Sequence, residues 1–582
     1  MFDASSPIRS LISIRRRARA SELFFIAIAA LAGAAAGLAS VVIGAISRTL
    51  QHLIYALPPT MRLSGSTQIG WPYLLALPIG GALLSLFSWV VRARSRRLVD
   101  AVEANALHGG RMTIGDSLVI AGQTIISNGF GASVGLEAAY AQAGGALSSW
   151  AGRWLNLRRA DLRTLVGAGA GAAIAGAFGA PLTGAFYAFE IVIGAYTPAA
   201  IAPVVAAALT ATFIAQTLGA RPYLIQEAAG ASVETHHYLI YIGLAVVCAM
   251  VGIAIMRAVA GIEMGARKLR LPSWVRPAIG GVLLIPLAAV SPQALSAGHD
   301  ALHADLAATM PLAVLALIFA TKCLASIVSL GFGYRGGLFF ASLFLGTLLG
   351  HLFAGLLALI AGYPVVDPYN AAMIGMAALA VAVIGGPFTM AMLVLEATRD
   401  FTLTGAVLAA ALVSSTLVRE LFGYSFSTWR LHLRGETIKS ARDIGWTRTL
   451  TAGRMMRRET RQTPATTTLA EFRRRFPLGS TSRVVLVDDA GRYAGIVQTA
   501  TAYADGLDAA ATVAPLAIMR DAALAPDLDI VATMKRFDAS GADELTVLDD
   551  ERRVLGLLSE AHVRRRYAEE LDKSQRELFG EA

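Results

Sequence analysis

Ten long stretches without a charged residue run through the chain as far as Arg419, and they limit what it can fold into. They are 23–47, 63–91, 164–189, 191–220, 235–256, 277–299, 306–321, 336–366, 368–395 and 401–418. Most exceed the roughly 20 residues that an α-helix needs to span a bilayer. Charged residues make up 15% of the chain and hydrophobic residues 55%, which excludes a purely soluble protein. The pattern predicts an all-α polytopic membrane protein.

Several of these stretches contain helix breakers. Gly179, Pro181, Gly337 and Pro387 interrupt otherwise apolar runs. Free backbone groups at membrane depth are tolerated only where protein or a water-filled cavity satisfies them. We therefore expect broken helices around a cavity.

The net charge of +10 has two explanations, nucleic-acid binding or membrane topology. Many basic residues stand in short clusters beside apolar stretches, which is typical of cytoplasmic loops. The clusters fall within 15–19, 92–97 and 267–270. The first apolar stretch is too long for a cleaved signal peptide. We expect a cytoplasmic N-terminus over 1–20, cytoplasmic location of both termini, a bacterial inner (plasma) membrane, and no nucleic-acid partner.

After Arg419 the sequence pattern changes to short apolar segments that alternate with charged ones. One pattern occurs twice at an offset of 61 residues, as Val487–Arg492 and as Leu548–Arg553. Each copy predicts a helix, a strand, a turn at Asp-Asp, a second strand and a helix. The tail is therefore expected to be a repeated α/β domain.

The membrane part also repeats. Pro181–Glu190 shares Pro, Thr, Ala and Glu at identical spacing with Pro387–Glu396, and Gly135–Ala139 parallels Gly337–Ala341 at nearly the same offset. Chance similarity among Gly- and Ala-rich helices is the alternative. Two inverted-topology repeats are typical of transporters, which place the ion site between the repeats near the bilayer midplane.

Glu137 is the single acid in the otherwise uncharged stretch that runs from Ser117 up to Arg153. An ionised carboxylate in hydrocarbon is costly, so such residues usually face a cavity and bind ions or protons. A helix start offers unpaired N–H groups and positive dipole, which a carboxylate and an anion would both seek. The residue could instead serve only to cap the helix.

We expect four residues near Glu137 to contribute backbone N–H donors to an anion, namely Leu136, Ala138, Leu338 and Phe339. The last two occupy the matching place in the second half of the membrane part. Their side chains are apolar, but two opposed helix starts would direct N–H groups at an anion rather than a cation.

In this order the motifs resemble the CLC family of chloride channels and proton-coupled anion exchangers. The family's Gly-Arg-Glu-Gly-Pro segment is matched by Gly135–Ala139, with Gln142 after it, and its Gly-x-Phe-x-Pro segment by Gly337–Ala341. The resemblance implies that Glu137 is the gating glutamate. It also implies a homodimer formed through the membrane part and through a cytoplasmic tandem CBS tail.

The resemblance and the composition together set the expected domain organisation. The boundaries are 1–20 for the N-terminus, 21–429 for the transmembrane domain with halves at about 21–220 and 235–429, 430–447 for a linker, 448–570 for the tandem CBS domains and 571–582 for a C-terminal tail.

The chain departs from the family at three places. Ser95–Val99 stands where the family's Gly-Ser-Gly-Ile-Pro segment should precede Asp100, and Ser427 stands where the family has a Tyr that contacts the central anion. Ile191 replaces the inner proton-transfer glutamate of exchangers. Ser427 remains a candidate anion contact, and passive or weakly proton-coupled flux is expected.

Other polar residues have structural explanations. His299 and His303 are four apart and could bind a metal, but we expect a solvated segment and no metal. Glu190 and Glu396 are expected to make structural hydrogen bonds.

The CBS-like tail lacks the Asp that would reach a nucleotide ribose. The places that would hold Ser or Thr and the Asp are occupied by Gln498 and Thr501 in the first copy and by Ser559 and His562 in the second. We expect no cofactor and no adenosine nucleotide partner, and a structural or dimerising role.

The leading hypothesis is transmembrane transport of chloride or a similar small anion. A proton-coupled chloride exchanger, a transporter of another solute and a non-conducting sensor with the same fold remain alternatives. An intramembrane zinc protease would need His-Glu-x-x-His, which the sequence lacks, and the chain is not expected to be an enzyme.

Overall fold

The computed structural model describes residues 21–58, 61–92, 98–220, 233–307, 310–432 and 450–579. The chain separates into two compact units, Met1–Asp443 and Ile444–Ala582. The expected N-terminus 1–20, most of the linker 430–447 and the end of the 571–582 tail lie outside the described residues, as does most of the Ser95–Val99 segment.

The first unit is helical throughout its described length. Its helices are α1 (Glu22–Tyr55), α2 (Trp71–Leu74), α3 (Ala76–Arg92), α4 (Ala101–Leu107), α5 (Ile114–Gly129), α6 (Glu137–Trp154), α7 (Arg159–Phe178), α8 (Pro181–Tyr187), α9 (Pro198–Thr217), α10 (His237–Lys268), α11 (Arg276–Val290), α12 (His299–Ala307), α13 (Leu312–Gly331), α14 (Phe339–Ala361), α15 (Pro368–Ile384), α16 (Pro387–Thr398), α17 (Phe401–Leu421) and α18 (Phe426–His432).

Among the described residues, seven helices are long and apolar enough to cross a membrane. Shorter apolar helices, α11, α15, α16 and the segment Pro181–Ile193, lie between them. Side chains of Ser21, Thr113, Asp367 and Asp400 accept hydrogen bonds from first-turn N–H groups and so fix where helices begin. The predicted polytopic helical fold is confirmed.

Small residues allow close helix packing, as the composition suggests. Gly346 on α14 faces Gly375 on α15, and a side chain at Gly346 would collide with the carbonyl of Gly375. Such contacts replace the hydrophobic driving force, which is weak between helices in lipid.

The helices are broken where the sequence has Gly and Pro. Gly179 ends α7 in the left-handed conformation, with φ of 67°, and Pro181 begins α8. Gly385 ends α15 in the same way, with φ of 88°, and Pro387 begins α16. Helix α8 continues into a π-helical turn, Ala188–Ile193. The two halves therefore repeat the same break.

The second unit contains two copies of one α/β arrangement. Its strands are β1 (Gln462–Pro464), β2 (Arg483–Val487), β3 (Tyr493–Gln498), β4 (Ala523–Leu524), β5 (Glu544–Leu548) and β6 (Val554–Ser559), and its helices are α19 (Ala452–Met455), α20 (Leu469–Arg475), α21 (Ile530–Ser540) and α22 (Glu560–Phe579). Each sheet has a parallel edge pair and an antiparallel hairpin, in the orders β1-β2-β3 and β4-β5-β6.

The internal α/β repeat predicted for the tail is confirmed. Phe472 and Phe476 fill the core of the first copy, and Phe537 fills that of the second. Between the copies, Arg483 makes ion pairs with Asp543 at 2.9 Å and with Glu544 at 3.1 Å.

Candidate functional site

Two glycines join the halves of the membrane unit through their backbones. The N–H of Gly135 donates to the carbonyl of Gly337 at 2.9 Å, and the N–H of Gly337 donates to the carbonyl of Gly135 at 3.2 Å. Each glycine lies two residues before a helix, α6 in the first half and α14 in the second. The bridge therefore holds two helix starts side by side.

Glu137 lies between these helix starts. It is the first residue of α6, and its side chain is buried, with 3% of the residue exposed. Its Oε1 accepts a hydrogen bond from the N–H of Phe340 at 3.2 Å. Its Oε2 has no hydrogen-bond partner among the described residues. The carboxylate of one half is thus held by the helix start of the other.

The bridging glycines give the carboxylate its space. A Cβ atom built on Gly135 would collide with the carboxylate of Glu137, and one built on Gly337 would lie 3.0 Å from its Oε2. Neither position can hold a side chain unless Glu137 moves.

The structure brings most of the predicted site residues together. Leu136 and Leu338 immediately precede α6 and α14, Ala138 follows Glu137, and Phe339 begins α14. These positions supply the backbone of the two helix starts, whose unpaired N–H groups carry partial positive charge. Ser427 lies in α18, but its side chain is outside the part of the chain that the structure describes.

Two cavities flank the helix starts. The first, here called the Arg335 cavity, has a volume of about 110 Å³. Its lining includes Asp100, Ala138, Gln142, Tyr187, Arg335, Gly337, Phe426 and Arg430. The cavity reaches the backbone beside Glu137 through Ala138 and Gly337.

The second cavity, here called the Arg48 cavity, also has a volume of about 110 Å³. Its lining includes Ser40, Ser47, Arg48, Gln51, Arg62, Asn128, Leu136, Tyr140, Ser296 and His299. The ring of His299 stacks on Phe340 with 3.6 Å between centroids. Since Phe340 donates to Glu137, this cavity lies next to the other side of the same site.

Sequence reasoning missed most of the Arg48 cavity. Gln51 and Asn128 are buried. Their position among apolar residues in the sequence is the one feature that could have indicated this. His299 and His303 were expected in a solvated segment, and the structure places His303 exposed and His299 half-buried against Phe340. Within the described ranges, no group of three or more His, Cys, Asp or Glu residues could hold a metal ion.

Glu190 and Glu396 cap helices of opposite halves. Glu190 accepts from the N–H groups of Phe388 at 3.1 Å and Thr389 at 2.8 Å, at the start of α16. Glu396 accepts from the N–H groups of Leu182 at 2.7 Å and Thr183 at 2.8 Å, at the start of α8. The expected structural hydrogen bonds are confirmed.

A third cavity, of about 200 Å³, is lined by both Glu190 and Ile191. Gly385, Arg419, Tyr424, Ser425 and Thr428 also line it. Ile191, which replaces the expected proton-transfer acid, therefore lies at the wall of a cavity beside a carboxylate that already has partners.

A sequence profile of the voltage gated chloride channel family matches residues 75–419, more than half of the chain. The chain belongs to the CLC family. Members of this family transport anions across membranes and are not enzymes, and the matched region contains the Gly135–Gly337 bridge and Glu137.

Individual relatives agree with this assignment. A "ClcB-like" chloride channel protein of Ralstonia nicotianae is 29% identical over 386 residues, covering 65% of this chain and 89% of the relative. The structure of a slow cyanobacterial Cl⁻/H⁺ antiporter is similar with a TM-score of 0.60, at 20% identity, over 70% of this chain and 97% of the other. A eukaryotic CLC transporter has a TM-score of 0.59 at 16% identity, over 92% of this chain and 97% of the other. These likenesses show a CLC fold, and the chain is an integral membrane protein.

Proposed function

We propose that this protein carries chloride or a similar small anion across the membrane, past the starts of α6 and α14. The observation that carries the proposal is the position of Glu137. Its carboxylate accepts the N–H of Phe340 from the opposite half, with its other oxygen unpartnered among the described residues. An anion would seek the same backbone donors.

The charges around the site favour an anion over a cation. Arg335 and Arg430 line the cavity on one side, and Arg48 and Arg62 line the cavity on the other. Basic residues in low-dielectric clefts raise the local concentration of anions. A cation site would instead need acidic or carbonyl-lined helix ends at the midplane.

Glu137 is proposed to gate the path by competition. While ionised, its carboxylate occupies the donors at the helix starts and repels an incoming anion. Protonation removes the negative charge and weakens its hydrogen bond to the N–H of Phe340, because charged acceptors bind donors more strongly than neutral ones. An anion can then take its place, and flux rises as the pH falls.

A proton-coupled exchanger is the second candidate, and one observation favours it. Glu190 lines the 200 Å³ cavity next to Ile191 and so offers an acid near the expected relay position. However, three hydrogen bonds from Phe388 and Thr389 already hold that carboxylate. We therefore propose passive or weakly coupled flux.

We further propose that the protein acts as a homodimer, associated through the membrane unit and the CBS pair, in a bacterial inner membrane with both termini cytoplasmic. The bacterial relatives support this location, and the basic clusters support the orientation. Cross-linking in intact membranes would test the dimer.

The proposed gate is tested by chloride efflux from liposomes that contain the purified full chain. Glu137→Gln is expected to keep flux and to flatten its rise between neutral and acidic pH. Glu263→Gln is a matched control, since among the described residues Glu263 pairs only with Arg267, one turn along α10. Wild-type flux with an unchanged pH profile in Glu137→Gln would show that Glu137 is structural.

A further inference from the structure

Lys322 is a buried lysine in the middle of α13, a helix apolar enough to span the membrane. None of its surface is exposed. Charged side chains inside a membrane protein are costly and usually serve an ion or substrate path. The proposed gate makes no use of this ammonium group.

The contacts of Lys322 leave its charge without a negative partner. Its Nζ donates to the carbonyl of Ser296 at 2.7 Å and to the carbonyl of Ala294 at 3.3 Å. It also lies 5.9 Å from the centre of the Phe344 ring. In the part of the chain that the structure describes, no carboxylate forms an ion pair with it. Carbonyl groups satisfy its donors, but they do not neutralise it.

Ser296 connects Lys322 to the Arg48 cavity. Its backbone carbonyl binds the ammonium, and the residue is part of the cavity lining. The Oγ accepts hydrogen bonds from Gln51 Nε2 and from Asn128 Nδ2, both at 3.1 Å. Two lone pairs are thereby used, and the hydroxyl hydrogen has no acceptor among the described residues. A buried donor without an acceptor is costly, and an anion in the cavity would accept it.

The other charges facing this cavity are also basic on balance. Arg48 is exposed at the cavity, where its Nε donates to the carbonyl of Gly44 on its own helix. Arg62 lies 3.7 Å from Asp300, which offsets part of its charge.

We propose that the Arg48 cavity binds a small monovalent anion, with the basic side chain of Lys322 behind it and the Ser296 hydroxyl as a direct donor. This inference rests on the proposed function, because the bound anion is the one that next competes with Glu137. Leu136 and Tyr140, from the start of α6, form part of the same cavity wall. An anion held there is one step from the gating carboxylate.

The size of the cavity limits the ligand to a small ion. Its volume of about 110 Å³ is well below the roughly 300 Å³ at which pockets for drug-sized molecules begin. Halide ions fit this space and need only a few donors. Drug-sized organic anions exceed this volume.

Bromide, which scatters anomalously, locates the site directly. Crystals of the full-length wild-type protein grown in bromide are expected to show an anomalous peak beside Ser296 and Arg48. Lys322→Met should remove this peak, and Lys322→Arg should keep it. A peak that persists unchanged in Lys322→Met would mark an adventitious ion only, and absence of a peak in the wild type would overturn the proposal.

Flux measurements separate this inference from the proposed function. The chloride concentration for half-maximal flux is expected to rise about tenfold in Lys322→Met and in Arg48→Gln, equivalent to about 1.4 kcal/mol of binding. Lys268→Met removes an exposed lysine at the end of α10 and is the control. If Lys322→Met does not fold, Arg48→Gln still tests the proposal, because replacing an exposed residue should leave the fold intact. Absence of wild-type chloride flux would refute the proposed function, whereas normal wild-type flux with unchanged half-saturation in the variants would refute only the role of the Arg48 cavity.

Discussion

The carboxylate of Glu190 accepts a hydrogen bond from the hydroxyl of Thr389, with 2.6 Å between the oxygens. The same contact, at the same distance, joins Glu396 to Thr183. Glu190 lies near the end of the segment Pro181–Ile193, and Glu396 caps the start of that segment. Glu396 in turn lies near the end of α16, and Glu190 caps the start of α16. The two repeats therefore cap each other's helices.

This reciprocal cap should contribute measurably to stability. Thr389→Val keeps the shape of the side chain and removes the donor to Glu190, at an expected cost of about 1–3 kcal/mol because the acceptor is charged. Thr183→Val should cost a similar amount. The measurement is the melting temperature of the purified protein in detergent.

Thr217→Val serves as the control for these variants, since Thr217 is exposed and, within the described ranges, its hydroxyl bonds only to the carbonyl of Ile214 in its own helix. Equal melting temperatures for all three variants would show that the reciprocal cap does not contribute to stability.

A methyl group at Gly337 should displace the gating carboxylate by steric contact, without changing its ability to ionise. A Cβ there would lie 3.0 Å from Glu137 Oε2, and the next nearest atoms are 3.8 Å away. Gly337→Ala is therefore expected to push the carboxylate aside and raise chloride flux at neutral pH.

Gly135→Ala should have a larger effect in the same assay, because its Cβ would collide with the whole carboxylate group. Gly115→Ala is the control, as no atom lies within 4 Å of a Cβ at that exposed position. Flux that falls in Gly337→Ala, with the protein still folded, would argue against a displaceable carboxylate.

Proton coupling is expected to be weak or absent. Ile191 cannot bind a proton, and the neighbouring carboxylate of Glu190 is held by Phe388 and Thr389. The test is a vesicle with a chloride gradient, no initial pH gradient and a proton-leak control, followed with a pH dye. Stoichiometric uphill proton movement would establish an exchanger and refute passive flux.

The CBS-like tail is expected not to bind adenosine nucleotides. Gln498 ends β3 and Thr501 follows it, while Ser559 ends β6 and His562 lies in α22. No aspartate therefore stands at the positions where the resemblance places a ribose contact. ATP, ADP or AMP should not raise the melting temperature of the 430–582 fragment. A ligand at 100 times its Kd would add about 2.7 kcal/mol, so a clear shift would be seen and would contradict this expectation.

The turn between β2 and β3 should make the tail sensitive to acid. The N–H of Arg492, with smaller contributions from the N–H of Ala490 and the Arg492 side chain, holds the pKa of Asp488 below its usual value. A lowered folded-state pKa stabilises the fold above the unfolded-state pKa of about 3.9 and loses that contribution as the pH falls towards the folded-state value.

Asp488→Asn should therefore flatten the decline in the melting temperature of the tail below about pH 4. Asp489→Asn is the matched control, because these N–H groups bond to Asp488 rather than to its neighbour. Parallel acid melting curves for the wild type and Asp488→Asn would contradict this role.

Local patterns in the sequence predicted much of the fold and the centre of the site. Uncharged stretches indicated the membrane helices, and the matching Gly-rich breaks indicated that residues near Gly135 and Gly337 belong together. The repeat also indicated structural roles for Glu190 and Glu396, but not that each caps the helix of the other half, because that depends on how the halves pack.

The Arg48 cavity could not be predicted, for a related reason. Gln51, Asn128, Ser296 and Lys322 come from four separate segments, and only their packing makes one hydrogen-bond network. The φ of 54° at Ser296, unusual for a residue with a side chain, likewise follows from its tertiary contacts.

The Gly135–Gly337 bridge has a consequence for how this protein can diverge. Every amino acid except proline keeps its backbone N–H, so other substitutions at Leu136 or Leu338 leave these donors in place. Changes that separate the two chain segments, fill the space of the glycines or introduce proline would remove them. The donors of the proposed ion path would thus persist in relatives whose side chains at these positions differ.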